Sequence, residues 1–310
     1  MKLLIKILTL AIMLFLSSCT GCTDDEDDDE DYATDTTFVE SEENSPVTIH
    51  HQTEEERIDS ILHVNIEHDT ALMYELPRFT IIKPTVVDFH LAYTVSFNAE
   101  TLNANWVAWH LTRQHTHGPD GDPFSRSKLK PPYYRDFDTT TVRQELSDWH
   151  GAYPPYEHGH LCPAADNKWD EAAMRQSFFL SNMTPQHCDF NSGDWVDLEK
   201  KCRYWANRYG EIYITTGPIF YSSRFKTLPE GKIAIPDAFF KVVMRLNPEP
   251  KAIGFIFANS GNSQMLQSAA KSVDEVERIT GFDFFYLIDD DTEQSIERVY
   301  NLKDWDLLEQ

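Results

Sequence analysis

The sequence has few cysteines, little basic charge and no internal repeat. Its five cysteines include no Cys-x2-Cys pair, and this absence argues against a structural zinc site. The apolar stretch at residues 3–16 spans fourteen residues, too few to cross a bilayer comfortably as a helix. Of the 310 residues, however, 41% are hydrophobic and 13% are aromatic, which excludes wholesale disorder and suffices for a sizeable core.

The excess of acidic residues is concentrated at one end of the chain. The whole sequence has 51 acidic and 27 basic residues, a net charge of −24. Residues 1–77 hold 19 acidic and 3 basic groups, whereas residues 78–310 hold 32 and 24 and carry a net charge of −8. The overall acidity therefore does not exclude a polyanionic substrate for the larger, C-terminal part.

The first residues have the features of an export signal. Lys2 and Lys6 lie before and within the short apolar stretch, and small residues follow it, as in a secretory signal peptide. The ending Leu-Ser-Ser-Cys19 resembles the lipobox of bacterial lipoproteins, which implies a signal peptide at residues 1–18 and a lipid on Cys19. An ordinary cleaved signal with an incidental cysteine is the alternative.

Residues 19–77 are interpreted as an acidic, largely disordered tether with room for one short helix. Residues 24–31 are eight consecutive acids, and such a block repels itself and stays extended. Acidic residues directly after a lipidated cysteine resemble the surface-export signal of some Gram-negative lipoproteins. We therefore expect an exported protein, anchored through Cys19 at the outer membrane or cell surface, with its folded domain at residues 78–310.

Export permits disulfide bonds, but the sequence does not determine them. Once Cys19 is lipidated, four cysteines remain, and four cysteines allow three pairings. The four are Cys22, Cys162, Cys188 and Cys202.

Beyond residue 78 the sequence mixes strands and helices without strict alternation, which favours an α+β fold. Residues 112–156 contain six prolines and predict mostly loop. Ser272 and Glu275 form a capping box for a helix that runs to Ile279 and ends at Gly281. The strand at residues 212–216 is expected to stop at Gly217-Pro218. Strands are predicted at residues 92–97, 105–111, 212–216, 239–246 and 252–258.

A helix is predicted after Asn191, in a stretch of Asn, Ser and Gly that would cap it. Four apolar residues recur at helical spacing and predict a face buried in the core. Glu199 and Arg203 lie four residues apart on the flank of this face; without a functional role they would form a surface ion pair. The apolar residues are Trp195, Leu198, Cys202 and Trp205.

The segment Tyr156-Glu-His-Gly-His160 carries the side chains best suited to chemistry. Histidine is well matched to proton transfer near neutral pH, and a histidine next to glycine suits an exposed position between strand and loop. Alone, however, such a histidine more often has no role. His158 and His160 could also bind zinc from one strand, a reading that lacks a third ligand nearby.

Four motifs follow one another along the chain: Glu-His-Gly-His, Ser-Asn-Met-x-Pro-Gln, Asn-x3-Trp-x2-Leu-Glu-x3-Arg and Thr-Gly-Pro. In this order they resemble the DNA/RNA non-specific endonuclease family, the ββα-metal nucleases with an Asp-Arg-Gly-His signature that include endonuclease G. The resemblance covers residues 88–290 and implies a central antiparallel sheet flanked by helices. It also implies a Mg²⁺-dependent nuclease, with Mn²⁺ as a substitute ion, that cleaves DNA and RNA.

The resemblance implies a role for each matching residue. His160 is the general base that deprotonates the attacking water, Asn191 binds magnesium, and Glu199 positions water on the metal. Three further residues act on the phosphate or support the site. Arg203 contacts phosphate, Asn182 supports the active site, and Arg126 is the candidate for a second phosphate-binding arginine, in a loop that aligns loosely.

Two residues depart from the family signature. Glu157 replaces Asp, which keeps the acid on a longer arm, and His158 replaces Arg, which would hold phosphate less firmly because histidine is only partly charged. The base and the metal ligand remain, so an active enzyme is expected. The rival interpretations are a surface lipoprotein that binds nucleic acid without cutting it, and a zinc hydrolase that uses His158 and His160. The sequence leaves the oligomeric state open.

Overall fold

The computed structural model describes residues 53–64, 68–79, 86–135, 143–149, 155–229 and 232–308. Cys19, Cys22, the expected signal peptide and most of the expected tether lie outside these ranges. Within them, none of the helices combines the length and the apolar character that crossing a membrane requires.

The described ranges contain eleven strands and eight α-helices, besides six short 3-10 or π-helical segments. The strands are β1 (Arg78–Phe79), β2 (Val86–Phe89), β3 (Thr94–Asn98), β4 (Asn103–Thr112), β5 (Tyr156–His160), β6 (Met183–His187), β7 (Glu211–Ile219), β8 (Ala238–Arg245), β9 (Lys251–Ala258), β10 (Ala270–Lys271) and β11 (Phe282–Asp283). The helices are α1 (Glu54–Leu62), α2 (Arg126–Leu129), α3 (Glu171–Gln176), α4 (Cys188–Phe190), α5 (Val196–Tyr209), α6 (Leu266–Ala269), α7 (Val273–Thr280) and α8 (Asp290–Glu297).

A seven-stranded antiparallel sheet forms the centre of the domain, in the order β10-β9-β8-β7-β4-β3-β2. Two short antiparallel pairs, β5–β6 and β1–β11, lie outside it. Helices cover both faces, so the central strands are buried on both sides and read as nearly continuous apolar runs. The predicted α+β class with a central antiparallel sheet is confirmed.

Alternate residues of the sheet belong to two separate cores. Phe239 and Val243 of β8 pack in the core that contains the apolar face of α5, whereas Phe240 and Val242 pack in the core that contains α7. This alternation follows from the two-residue period of a strand. The predicted apolar face of α5 is confirmed, because Trp195, Leu198, Cys202 and Trp205 are all buried in the first core.

The predicted strands are present, but β7 continues past the expected stop. Gly217 and Pro218 pair with Phe240 and Phe239 of β8. The pairing of β7 with β4 ends at Thr216, so Pro218 lies where β7 has a neighbour on one side only, and its missing N–H breaks no bond of the ladder. Gly217 is required because a Cβ there would overlap the carbonyl oxygen of Asn105. The expectation that Gly217-Pro218 would end the strand was wrong.

The helix predicted after Ser272 is confirmed as α7. The Ser272 hydroxyl accepts from the backbone N–H of Glu275, and the Glu275 carboxylate accepts in return from the N–H of Ser272. Gly281 ends the helix with a positive φ of 74°, a conformation that glycine adopts without strain.

The packed part of the chain begins before residue 78, earlier than the sequence suggested. Helix α1 begins at Thr53 with a capping box and lies against α3, where Arg57 bonds both oxygens of Glu171 at 3.0 and 3.1 Å. The side-chain amide of Gln176 donates to the carbonyls of Leu62 and Val64 at 3.0 and 2.6 Å. These side-chain bonds, which apolar periodicity does not reveal, join residues 53–64 to the domain.

Within the described ranges, the three cysteines are free thiols. Cys162 and Cys202 are buried and Cys188 is partly exposed. Each of the three pairings that the sequence allowed would join two of these three residues, and the structure contains none of those bonds.

Candidate active site

The antiparallel pair of strands β5 and β6 and the start of α5 bring the motif residues together. Gly159 of β5 lies directly against Gln186, which is fully buried on the neighbouring β6 strand, and a Cβ at position 159 would overlap that side chain. The glycine therefore lets the two strands approach closely, and the side chains on either side of it, His158 and His160, line one cavity.

Asn191 lies inside a helical segment and does not cap it. The segment begins one short helix earlier, at α4, where the Nδ1 atom of His187 accepts from the N–H of Asp189 at 3.3 Å. Asn191 itself has helical dihedrals, and the chain bends two residues later at Gly193, with φ −104° and ψ −108°. The bend joins α4 to α5 and places Asn191 and Glu199 at the same cavity.

The cavity has a volume of about 1150 Å³ and a strongly basic lining. Five arginines and lysines face it, against two glutamates, although the chain as a whole carries −24. Six of the seven predicted active-site residues line it, and Asn182 does not. The six are Arg126, His158, His160, Asn191, Glu199 and Arg203.

His160 has a buried ring nitrogen with no partner in the described structure. Its Nε2 atom is shielded from solvent and forms no hydrogen bond, while the ring contacts Phe178 edge to face at 4.8 Å between centroids. Burial lowers the pKa of His160 to about 3, and the neighbouring side chains of Arg126 and His158 act in the same direction. The imidazole is therefore neutral at pH 7, the form that accepts a proton.

His158 is held between two aromatic rings. Its ring stacks on Trp149 at 3.9 Å and on Tyr133 at 4.1 Å between centroids, with interplanar angles of 21° and 14°. Burial lowers its pKa to about 4, so the side chain is neutral at pH 7. The expectation of a partly charged His158 was wrong, because the sequence does not show that two rings enclose it.

Glu157, the other departure from the signature, is bonded to Asn191. The side-chain N–H of Asn191 donates to Oε1 of Glu157 at 2.9 Å. This bond orients the amide and leaves the Asn191 carbonyl oxygen as the group available to a cation. A neutral amide oxygen together with the buried carboxylate of Glu199 fits the oxygen ligands that Mg²⁺ takes from proteins.

Arg203 pairs with Asp166. Its Nη1 atom lies 2.9 Å from Oδ1 of Asp166, whose other oxygen accepts from the indole N–H of Trp109 at 3.1 Å. Burial alone would lower the pKa of Arg203, but the carboxylates of Asp166 and Glu199 outweigh it and hold that pKa above its usual value. The guanidinium is thus a permanent, fixed cation at the edge of the cavity.

Asn182 lies beneath the site. It is fully buried, its oxygen accepts from the N–H of Cys162 at 2.9 Å, and its nitrogen donates to the carbonyls of Cys162 and Ser177 at 2.9 and 2.8 Å. These bonds fix the backbone two residues beyond His160. Asn182 is thus placed to support the loop after His160, and its side chain does not reach the cavity.

Arg126 reaches the cavity from the proline-rich loop. The guanidinium carbon lies 5.2 Å from the centre of the Phe178 ring, the ring that His160 also contacts. Its helix α2 has only four residues and follows Ser125. Although this loop matches the family only loosely, Arg126 lies next to His160, the proposed base.

Three further charged residues at the site carried no signal in the sequence: Asp166, the partner of Arg203, and the lysines at positions 168 and 200. Asp166 stands only six residues after His160, but the sequence carries no signal that this acid pairs with Arg203. Two groups of potential metal ligands occur in the described ranges, and neither contains His158 or His160, so the zinc interpretation gains no third ligand.

A cation-lined cavity around a neutral imidazole suits a polyanionic substrate, and the comparison with known proteins identifies the class. The family model of DNA/RNA non-specific endonucleases matches residues 78–291, so the chain belongs to this family. The family is one of metal-dependent nucleases, and the protein is an endonuclease, a hydrolase acting on nucleic acids. The resemblance drawn from the motifs is confirmed.

Two microbial nucleases illustrate the similarity. Nuclease C1 of Cunninghamella echinulata var. echinulata is 32% identical over 213 residues, covering 64% of this chain and 82% of that protein. A nuclease of Nostoc sp. (strain PCC 7120) is 31% identical over 217 residues, covering 66% of this chain and 75% of the relative. The match to mitochondrial nuclease EXOG of Xenopus laevis, 26% identical, spans 59% of that protein.

The crystal structure of the EndoG/EndoGI complex shares the fold. Its TM-score is 0.62 at 22% sequence identity, and the match covers 73% of this chain and 94% of that one. At this identity the likeness establishes the antiparallel architecture.

Proposed function

We propose that this chain is a magnesium-dependent endonuclease that hydrolyses phosphodiester bonds in both DNA and RNA, with His160 as its general base. The observation that carries the proposal is that a neutral His160, whose Nε2 atom forms no hydrogen bond within the described residues, lines a basic cavity together with Arg126 and Arg203. A neutral imidazole accepts the proton of an attacking water, a contribution of about 10²–10⁴-fold in rate.

The cations around His160 bind the substrate phosphate. Arg203, fixed by Asp166, offers a permanent charge with paired donors, and Arg126 offers a second one from the opposite loop. Such preorganised charge stabilises the negative oxygens that develop during attack on a phosphodiester. Because the cations recognise phosphate and not sugar, the arrangement favours cleavage of DNA and RNA alike.

Asn191 is the residue that would hold Mg²⁺, or Mn²⁺ in its place, and Glu199 would position water on the ion. When bound, the ion supplies positive charge to the phosphate and to the leaving oxygen. Glu157 accepts a hydrogen bond from the Asn191 amide and so orients it. Glu157 therefore contributes to metal binding by positioning Asn191. Asn191→Ala should therefore raise the concentration of magnesium that cleavage requires.

Cleavage of supercoiled plasmid by the full chain tests the proposal. The assay compares magnesium, zinc and chelator, with His160→Ala as the matched variant. Magnesium-dependent nicking that is lost in His160→Ala, with an unchanged melting temperature, is the expected result. Cleavage restored by zinc but not by magnesium would contradict it.

A non-cutting binding protein is the second candidate, favoured by one observation. His158, neutral between Tyr133 and Trp149, stands where the family signature has a cation. Intact plasmid under every condition, with DNA binding that weakens steeply as salt increases, would establish that candidate in place of the nuclease.

We further propose that the enzyme is exported and lipid-anchored through Cys19, where it would clear nucleic acid outside the cell. The support is the signal-like N-terminus and the acidic stretch that follows it. In Cys19→Ser the nuclease should move from the membrane fraction to the soluble fraction. An unchanged membrane fraction would refute the anchor and leave the catalytic proposal standing.

A further inference from the structure

Three carboxylates meet on the side of the sheet that faces away from α5. Asp274 and Glu277 belong to α7 and Glu297 is the last residue of α8, and one ligand oxygen from each lies within 4.8 Å of the other two. The helices themselves are held by the second core, which includes Val276 and Ile296. Packing of the apolar faces therefore forces these acidic residues together.

The deepest of the three is an unpartnered group. Glu297 is 5% exposed, and its Oε1 atom is buried with no hydrogen-bond partner in the described structure. The charged neighbours that act on it are the carboxylates of Glu277, Glu293, Asp274 and Asp283. A buried polar atom without a partner is costly, and an ionised one among other carboxylates is more so.

The geometry of the cluster matches a hard cation. Two oxygens bound to one Ca²⁺ at about 2.3–2.6 Å lie at most about 5 Å apart, which agrees with the spacing observed here. One oxygen of Glu277 already accepts from the N–H of Phe284 at 2.8 Å, and this bond fixes its carboxylate. Asp274 is exposed at the rim, where waters can complete the coordination and the ion can enter.

We propose that Asp274, Glu277 and Glu297 form a calcium-binding site that joins α7 to α8. Calcium accepts six to eight oxygen ligands in flexible geometry, so three carboxylates and several waters suit it. The site is separate from the cavity that contains His160, and its role is to stabilise the C-terminal layer of the domain. The cost of burying Glu297 is offset when the ion is bound.

Thermal unfolding of the full chain, freed of metal with chelator and dialysed, tests this site. Calcium chloride at pH 8 should raise the melting temperature by about 5 °C, the effect of a ligand well above its dissociation constant. Glu297→Gln and Asp274→Asn should lose this shift. Asp274 is exposed, so its variant tests the site even if Glu297→Gln folds poorly.

Two control variants distinguish this site from another exposed acid on α8 and from the cavity that contains His160. Asp290→Asn, at an exposed position in the first turn of α8, should keep the calcium shift, and Asn191→Ala should keep it because the catalytic cavity is elsewhere. No calcium shift in the wild-type chain, or an undiminished shift in Asp274→Asn, would overturn the proposal. Loss of the shift in Asn191→Ala alone would assign calcium to the catalytic cavity and also overturn it.

Discussion

Beside the catalytic cavity each acid has a partner, whereas on the opposite side of the sheet three acids lie together. Asp166 pairs with Arg203, and Glu157 accepts a bond from Asn191. Glu297, by contrast, has a buried oxygen with no partner and carboxylate neighbours. In the first arrangement the acids are fixed supports for a cation and an amide, while the second becomes stable when a proton or an added cation joins it.

Asp166→Asn breaks the first arrangement and should have the largest effect on stability. It removes the carboxylate that bonds the largely buried guanidinium of Arg203, so the free energy of unfolding should fall by about 3 kcal/mol in urea titrations. Asp197→Asn is the matched control, because the exposed pair of Asp197 with Lys200 contributes at most about 0.5 kcal/mol. Equal effects of the two variants would contradict the comparison.

His158→Ala tests how much the neutral His158 ring, which lines the same cavity, contributes to stability. Loss of the ring between Tyr133 and Trp149 should lower the free energy of unfolding by about 2 kcal/mol, since it removes two stacked pairs. Nuclease activity should fall but remain measurable, because His160 is intact. His117→Ala, at an exposed position, is the control for stability. Complete loss of activity with unchanged stability would instead favour the zinc interpretation.

Glu297→Gln should change the free energy of unfolding by the smallest amount, and it should increase that free energy. Burial raises the pKa of Glu297 from 4.5 to about 9, so between these pH values the unfolded chain releases a proton that the folded chain keeps. Wild-type stability therefore falls as the pH rises through this window, and glutamine removes that loss.

In chelator at pH 8, the variant should gain about 1 kcal/mol in free energy of unfolding. The two proteins should have the same stability at pH 4. A less stable variant at pH 8 would show that the glutamate already has a favourable partner.

The parts of the fold that the sequence predicted are those with local signals. The capping box of α7 and the apolar face of α5 depend on residues within one or two turns, and both are confirmed. The end of β7 was missed because tolerance of Pro218 depends on where its neighbour β4 stops pairing. That information belongs to the sheet and not to the segment.

The candidate site also has some features that local sequence signals predicted and others that only the folded chain shows. The motifs selected five residues that line one cavity, and the loosely matching loop before them added a sixth, Arg126. The rings on either side of His158 come from two loops, and only the folded chain brings them together. Lys241 is a further example, because it is fully buried with its Nζ atom 4.2 Å from the centre of the Trp195 ring and without a hydrogen-bond partner among the described residues, and nothing in its strand sequence indicated a buried lysine.

The attachment of α1 has a mechanical consequence. Between Thr53 and Val64 the chain is held by bonds from Arg57 to Glu171 and by the amide of Gln176, with no strand pairing. A pulling force that enters at the N-terminus would first load these side-chain bonds. These bonds would break before the sheet does. Helix α1 would then detach and extend the N-terminal segment, while the hydrogen-bonded strand pairs of the central sheet stayed intact.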